Sequence, residues 1–119
     1  MGKRGRRRGA EALRAPESEY RNAEGDLLLL RGSLSPASRR KYAEVLAGSP
    51  LSQEDAWQRA VEFLFERLAV RWDAGGAEPI TRQEELLARY RFASQDERRW
   101  IRDALREHIA EHFPELQAP

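Results

Sequence analysis

The chain has 119 residues, 34% of them charged and 40% apolar, which is enough to bury one modest core without covalent staples. It contains no cysteine, so a disulfide framework, a thiolate metal site and a cysteine nucleophile are all excluded. The net charge of +1 hides an asymmetry: residues 1–14 hold six basic residues against one acid, a net +5, and residues 15–119 carry the compensating −4.

The opening stretch MGKRGRRRG clusters Lys3, Arg4, Arg6, Arg7 and Arg8 among glycines, with little to bury. Residues 1–15 are expected to be a disordered basic arm, with Pro16 as the boundary to a single helical domain over 16–119. The arm resembles the start of a secretory signal, but no apolar segment follows it, and Arg6 stands where a myristoylation motif needs Ser or Thr. The longest apolar run is Leu27–Leu30, far short of a membrane span, so a soluble, cytoplasmic protein is expected.

Residues 17–33 suggest a hairpin. Asn22-Ala23-Glu24-Gly25 supplies turn chemistry, Gly25 is free to take positive φ, and Leu27–Arg31 forms the return strand. Four consecutive leucines do not alternate, so both faces of that strand need cover, and a lone hairpin would have to lie on helices.

The rest reads as four helices. Ser35-Pro36 opens one over about 36–47, closed by Gly48. Ser52 caps a long helix over about 53–73, halted by Gly75-Gly76. Thr81 and Ser94, each followed three residues later by glutamate, have capping-box spacing and open helices over about 82–92 and 95–113. In the 53–73 helix, Trp57, Val61, Leu64, Phe65, Leu68 and Trp72 form one stripe, with Phe63 and Val70 opposite, which makes it the central element. The fold class expected is therefore mostly α: a small single-domain bundle of about four helices around a central helix, with a short N-terminal β-hairpin.

Two patterns carry chemistry. His108-Ile-Ala-Glu111-His112 fits H-x-x-E-H, the inverted zinc-protease signature, and the two histidines share one helix face within the apolar arc. A catalytic zinc needs a third protein ligand, which in such enzymes comes from far downstream, whereas seven residues follow His112 here. Glu62 or Glu66 would have to substitute. Two amphipathic rings near a helix C-terminus account for the pair without a metal. The second pattern is the basic flank Arg98, Arg99, Arg102 and Arg106, considered as a recognition helix. Interleaved Asp96, Asp103 and Glu107 favour a solvated face laced with pairs such as Arg99–Asp103.

No phosphate loop or nucleophile elbow is present, and no cofactor is implied. The favoured expectation is a small non-enzymatic binding protein contacting RNA or DNA through Lys3, Arg4, Arg6, Arg7 and Arg8 by counterion release. The alternatives are a protein-interaction or regulatory module without nucleic acid, including one that pairs with its own copy, and a metal-binding protein using His108 and His112.

Overall fold

The computed structural model describes residues 16–48 and 53–119, so the basic arm and the Ser52 cap position lie outside the described residues. The chain order is β1 (Glu17–Arg21), β2 (Leu27–Arg31), α1 (Pro36–Ala47), α2 (Gln53–Leu68), β3 (Ala69–Asp73), α3 (Gln83–Arg91) and α4 (Gln95–His112). The strands form one antiparallel sheet in the order β1-β2-β3. No helix among the described residues is long and apolar enough to cross a membrane.

The hairpin forms as its turn residues dictate. Asn22 accepts the Gly25 N–H on its carbonyl and the Asp26 N–H on its side chain, and Gly25 sits at φ +86°. The pleat then sorts the four leucines. Leu28 and Leu30 point inward with no exposed surface, alongside Trp72 of β3. Leu27 and Leu29 point outward, beside Glu19, Arg21, Arg71 and Asp73 on the flanking strands. The ion pairs Arg71–Asp73, at 2.8 Å along β3, and Arg21–Glu19, along β1, flank the leucines on that outer face.

Two sequence expectations need correction. The long helix stops at Leu68 and residues 69–73 are the third strand, so the domain is a mixed α and β fold rather than a bundle with an appended hairpin. Without β3, the second edge of β2 would leave backbone donors and acceptors unpaired against the core. Val70 and Trp72 suit a strand, and the register shift beside Leu29/Leu30 leaves Val70 unpaired opposite β2. Trp72 keeps its place in the core, edge-on to Phe65 at 5.8 Å, which is why its spacing mimicked a helical stripe. Ile80 then bridges back to Trp72 through two backbone hydrogen bonds of 2.9 Å and covers part of the β3 edge.

The second correction concerns α3. Its N-cap is Arg82, without a side-chain cap bond, rather than Thr81. Gln83, the first residue of α3, instead donates its side-chain amide to the Glu66 carbonyl near the end of α2. The signals at Ser35, Gly48 and Ser94 are realised, whereas Gly75-Gly76 lies beyond the helix it was expected to stop. Ser35 accepts from the Ser38 N–H with Pro36 behind it, and Gly48 closes α1 at φ +54°. Ser94 and Glu97 form a reciprocal capping box at the start of α4.

The helices cover the inner face of the sheet. Val61, Leu64, Phe65 and Leu68 of α2, Leu86 and Tyr90 of α3, and Ile101, Leu105 and Ile109 of α4 join Leu28, Leu30 and Trp72 in one core. Helix α2 remains the centre, contacting α1, α3, α4 and β3. Beyond α4, Phe113 is buried, Tyr42 donates its hydroxyl to the Gln117 carbonyl, and Arg39 pairs with Glu115.

Candidate nucleic-acid interface

Of the sequence-predicted site residues, Lys3, Arg4, Arg6, Arg7 and Arg8 lie outside the described residues. His108 and His112 are described, and α4 carries both onto the inner face of the hairpin. Their rings lie 4.4 Å apart.

His108 is fully buried, and both its ring nitrogens are engaged. Its Nε2 lies 2.8 Å from the Arg31 carbonyl, which can only accept, so Nε2 carries the proton. Its Nδ1 lies 2.8 Å from the Tyr20 hydroxyl and therefore accepts. Burial, with Glu111 and Glu107 adding, pushes the Tyr20 phenol up to about 12, which keeps the hydroxyl protonated for this bond. Burial also depresses the His108 pKa, with His112 adding to the depression, against the opposing effects of the Arg31 carbonyl and Glu111. The ring is thus neutral, with no lone pair left for a metal. His112 Nε2 meets Ser18 Oγ at 2.9 Å, and its Nδ1 faces the bare α-carbon of Gly32. Glu62 and Glu66 are committed elsewhere, to Arg91 and Arg67. Among the described residues, no group of three or more His, Cys, Asp or Glu side chains is placed to hold a metal ion. The two rings clasp α4 to the sheet.

The basic flank of α4 is arranged differently from its expected salt-bridged form. At 100° per residue, Arg98, Arg99, Arg102 and Arg106 fall within an arc of about 100°, and Asp96, Asp103, Glu107 and Glu111 within the adjoining arc. The charges are segregated into two stripes. Among the described residues, none of the four arginines pairs with an Asp or Glu side chain, and the expected Arg99–Asp103 bridge is not formed. The nearby Arg89 and Arg91 are instead neutralised by Glu97 and Glu62.

Three of these arginines, Arg98, Arg99 and Arg102, border a groove where α4 crosses α2. It has a volume of about 320 Å³ and is lined by Trp57 and Val61 of α2, Tyr90 of α3, and Arg98, Arg99 and Arg102 of α4, with Glu54 as its one acid. Arg98 and Arg102 are one turn apart, beside the buried Ile101–Leu105 row, so their stems lie along apolar surface and their heads reach aromatic rings. The Arg98 guanidinium sits 5.1 Å from the Tyr90 ring centre, and that of Arg102 sits 5.5 Å from Trp57. Arg98 also donates to the Arg91 and Ala93 carbonyls, which bracket Phe92. Arg102 and Arg106 donate to the terminal oxygen of Pro119, the last residue of the sequence. Arg99 is exposed, with no hydrogen-bond or ion-pair partner among the described residues.

Sequence reading identified these arginines but missed Trp57, Tyr90 and Phe92 as their companions. The spacing of Trp57 marks it as part of the core stripe, yet it remains half-buried, on a ridge between this groove and a second one bordered by Tyr42, Leu46 and Leu116. Comparison of the chain with known protein families, curated proteins and solved structures finds no match.

Proposed function

We propose that the chain is a non-enzymatic binding protein for an anionic partner, RNA or DNA, engaged by the arginine stripe of α4 together with the basic N-terminal arm. The observation that carries this reading is the set of four arginines on one helical arc, none paired with an Asp or Glu side chain among the described residues. A row of guanidinium groups with no acidic side chain beside them among the described residues favours a polyanion, and phosphates accept their planar donor forks in pairs. The groove supplies a fixed contact, while the arm contributes charge that needs reach but no fold.

Fluorescence anisotropy with labelled RNA and DNA across a salt series tests this reading. Each phosphate contact contributes about −0.7 to −0.9 to the slope of log affinity against log salt. Removing residues 1–14 is expected to flatten that slope by about 4, given five clustered basic residues. The exposed-face double variant Arg99→Ala/Arg106→Ala is expected to flatten it by about 1 to 2. Absence of salt-sensitive binding to either nucleic acid would overturn the assignment.

A further inference from the structure

We infer that Phe92 is a stacking platform for an unpaired base, and that the partner of the α4 groove is single-stranded nucleic acid. This rests on the nucleic-acid reading above and names the class of partner. Phe92 is 87% exposed, the one large apolar side chain so placed among the described residues. Its position is not that of a loose loop tip. Phe92 is the C-cap of α3, its N–H bonded to the Arg89 carbonyl at 3.2 Å, and the Ala93 N–H bonds to Tyr90 at 3.0 Å. Two residues on, the Ser94–Glu97 capping box starts α4. Arg98 reaches back across this turn to the carbonyls on both sides of Phe92. The ring is therefore presented to solvent on a backbone held from three directions, and the guanidinium bonded to the carbonyls on either side of it has no carboxylate partner among the described residues.

That juxtaposition matches one nucleotide: a flat apolar face for the base, and a cation beside it for the phosphate. Base–aromatic stacking of this kind tolerates any base but requires the face to be free. In a duplex the faces are already stacked, and reaching one means prising a step apart. A single strand can also follow the arginine arc alone. A duplex presents a broad anionic face and would bring phosphates toward the adjoining stripe of Asp96, Asp103 and Glu107, where they are repelled. Arg98 and Arg102, about 6 Å apart along the helix axis, would take successive positions along the strand.

The test compares the full chain with its Phe92→Ala and Phe92→Trp variants. The probes are labelled oligouridylate and oligothymidylate, a duplex of matched length, and inorganic polyphosphate as a base-free competitor. Both variants are expected to unfold at the wild-type urea concentration, because the ring is exposed. Single strands are expected to bind about tenfold more tightly than the duplex. Phe92→Ala is expected to weaken single-strand binding about tenfold, leaving the salt slope and polyphosphate competition unchanged, while Phe92→Trp restores the affinity. If Phe92→Ala binds like wild type while Arg99→Ala/Arg106→Ala weakens binding, stacking is refuted and the nucleic-acid reading stands. Equal loss on duplex and polyphosphate also refutes stacking. If no nucleic acid binds at all, both readings fall, and Phe92 is left as a contact for a protein.

Discussion

Replacing His108 with phenylalanine keeps a ring of similar size in the space between α4 and the hairpin but removes two hydrogen bonds. The Arg31 carbonyl loses its donor and the Tyr20 hydroxyl its acceptor. Tyr20 is half-exposed and can turn toward water, so the carbonyl bears most of the penalty. Leaving a buried polar group unsatisfied costs about 1–3 kcal/mol, so the variant should lose about 2–3 kcal/mol near neutral pH, equivalent to a fall in Tm of about 10 °C. The pH dependence is sharper evidence than the size of the loss. Because burial depresses the His108 pKa, the unfolded chain binds a proton that the folded chain refuses. The stabilisation from the neutral ring is complete above the unfolded value of about 6.5 and is lost as pH falls through the folded one, with a slope of up to about 1.4 kcal/mol per pH unit. His108→Phe removes that titration. His112 and Glu111, which face the ring, are retained in both proteins and largely cancel in the difference. Urea unfolding followed by tryptophan fluorescence, from about pH 7.5 to pH 5, should therefore show the gap between wild type and variant narrowing as the solution is acidified. A gap that stays constant or widens would refute the neutral, doubly bonded imidazole.

The register of β2 predicts opposite outcomes for adjacent leucines: Leu28→Ala should cost about 2–5 kcal/mol and Leu29→Ala less than about 1, and similar losses in urea unfolding would contradict the assigned faces. Gly32→Ala places a Cβ 2.6 Å from the Pro16 carbonyl and 3.2 Å from His112 Nδ1, so it should destabilise by about 1–3 kcal/mol; an unchanged melting curve would show that the β1 start can move away. Ser94→Ala removes one half of the capping box and should cost about 1 kcal/mol, with amide exchange accelerating in the first turn of α4 before any other helix; uniform acceleration would point to a global effect instead.

What could be read from the sequence was local. Ser35-Pro36 and Ser94-x-x-Glu97 announce helix starts because the bonds that make a cap close within three residues. Gly25 marks the hairpin for the same reason. The end of α2 could not be read in this way. Leu64, Phe65, Leu68 and Trp72 keep a helical spacing across a junction whose cause, the open edge of β2, lies some forty residues upstream. The histidines followed an intermediate course. Their shared face is evident from their spacing, but their partners Ser18 and Tyr20 come from the other end of the chain, and it is those partners that occupy the nitrogens a metal would need. The arginine groove was half legible. Spacing brings Arg99 near Asp103 without making them pair, and the rings that receive Arg98 and Arg102 lie on two other helices.

The direct junction between α2 and β3 bears on how the chain reaches this fold. Leu27 pairs with Arg21 on one side and with Asp73 on the other, and closing the second, much longer loop costs about 2 kcal/mol more in chain entropy. With no linker between Leu68 and Ala69, the third strand is carried on the end of a sixteen-residue rod about 24 Å long. Docking of the helix and completion of the sheet are then one event. A chain interrupted before that event exposes a leucine-rich β2 with an open edge, which invites pairing with another molecule rather than with itself. Crowded synthesis, more than heat or denaturant, is the condition under which this architecture is most exposed.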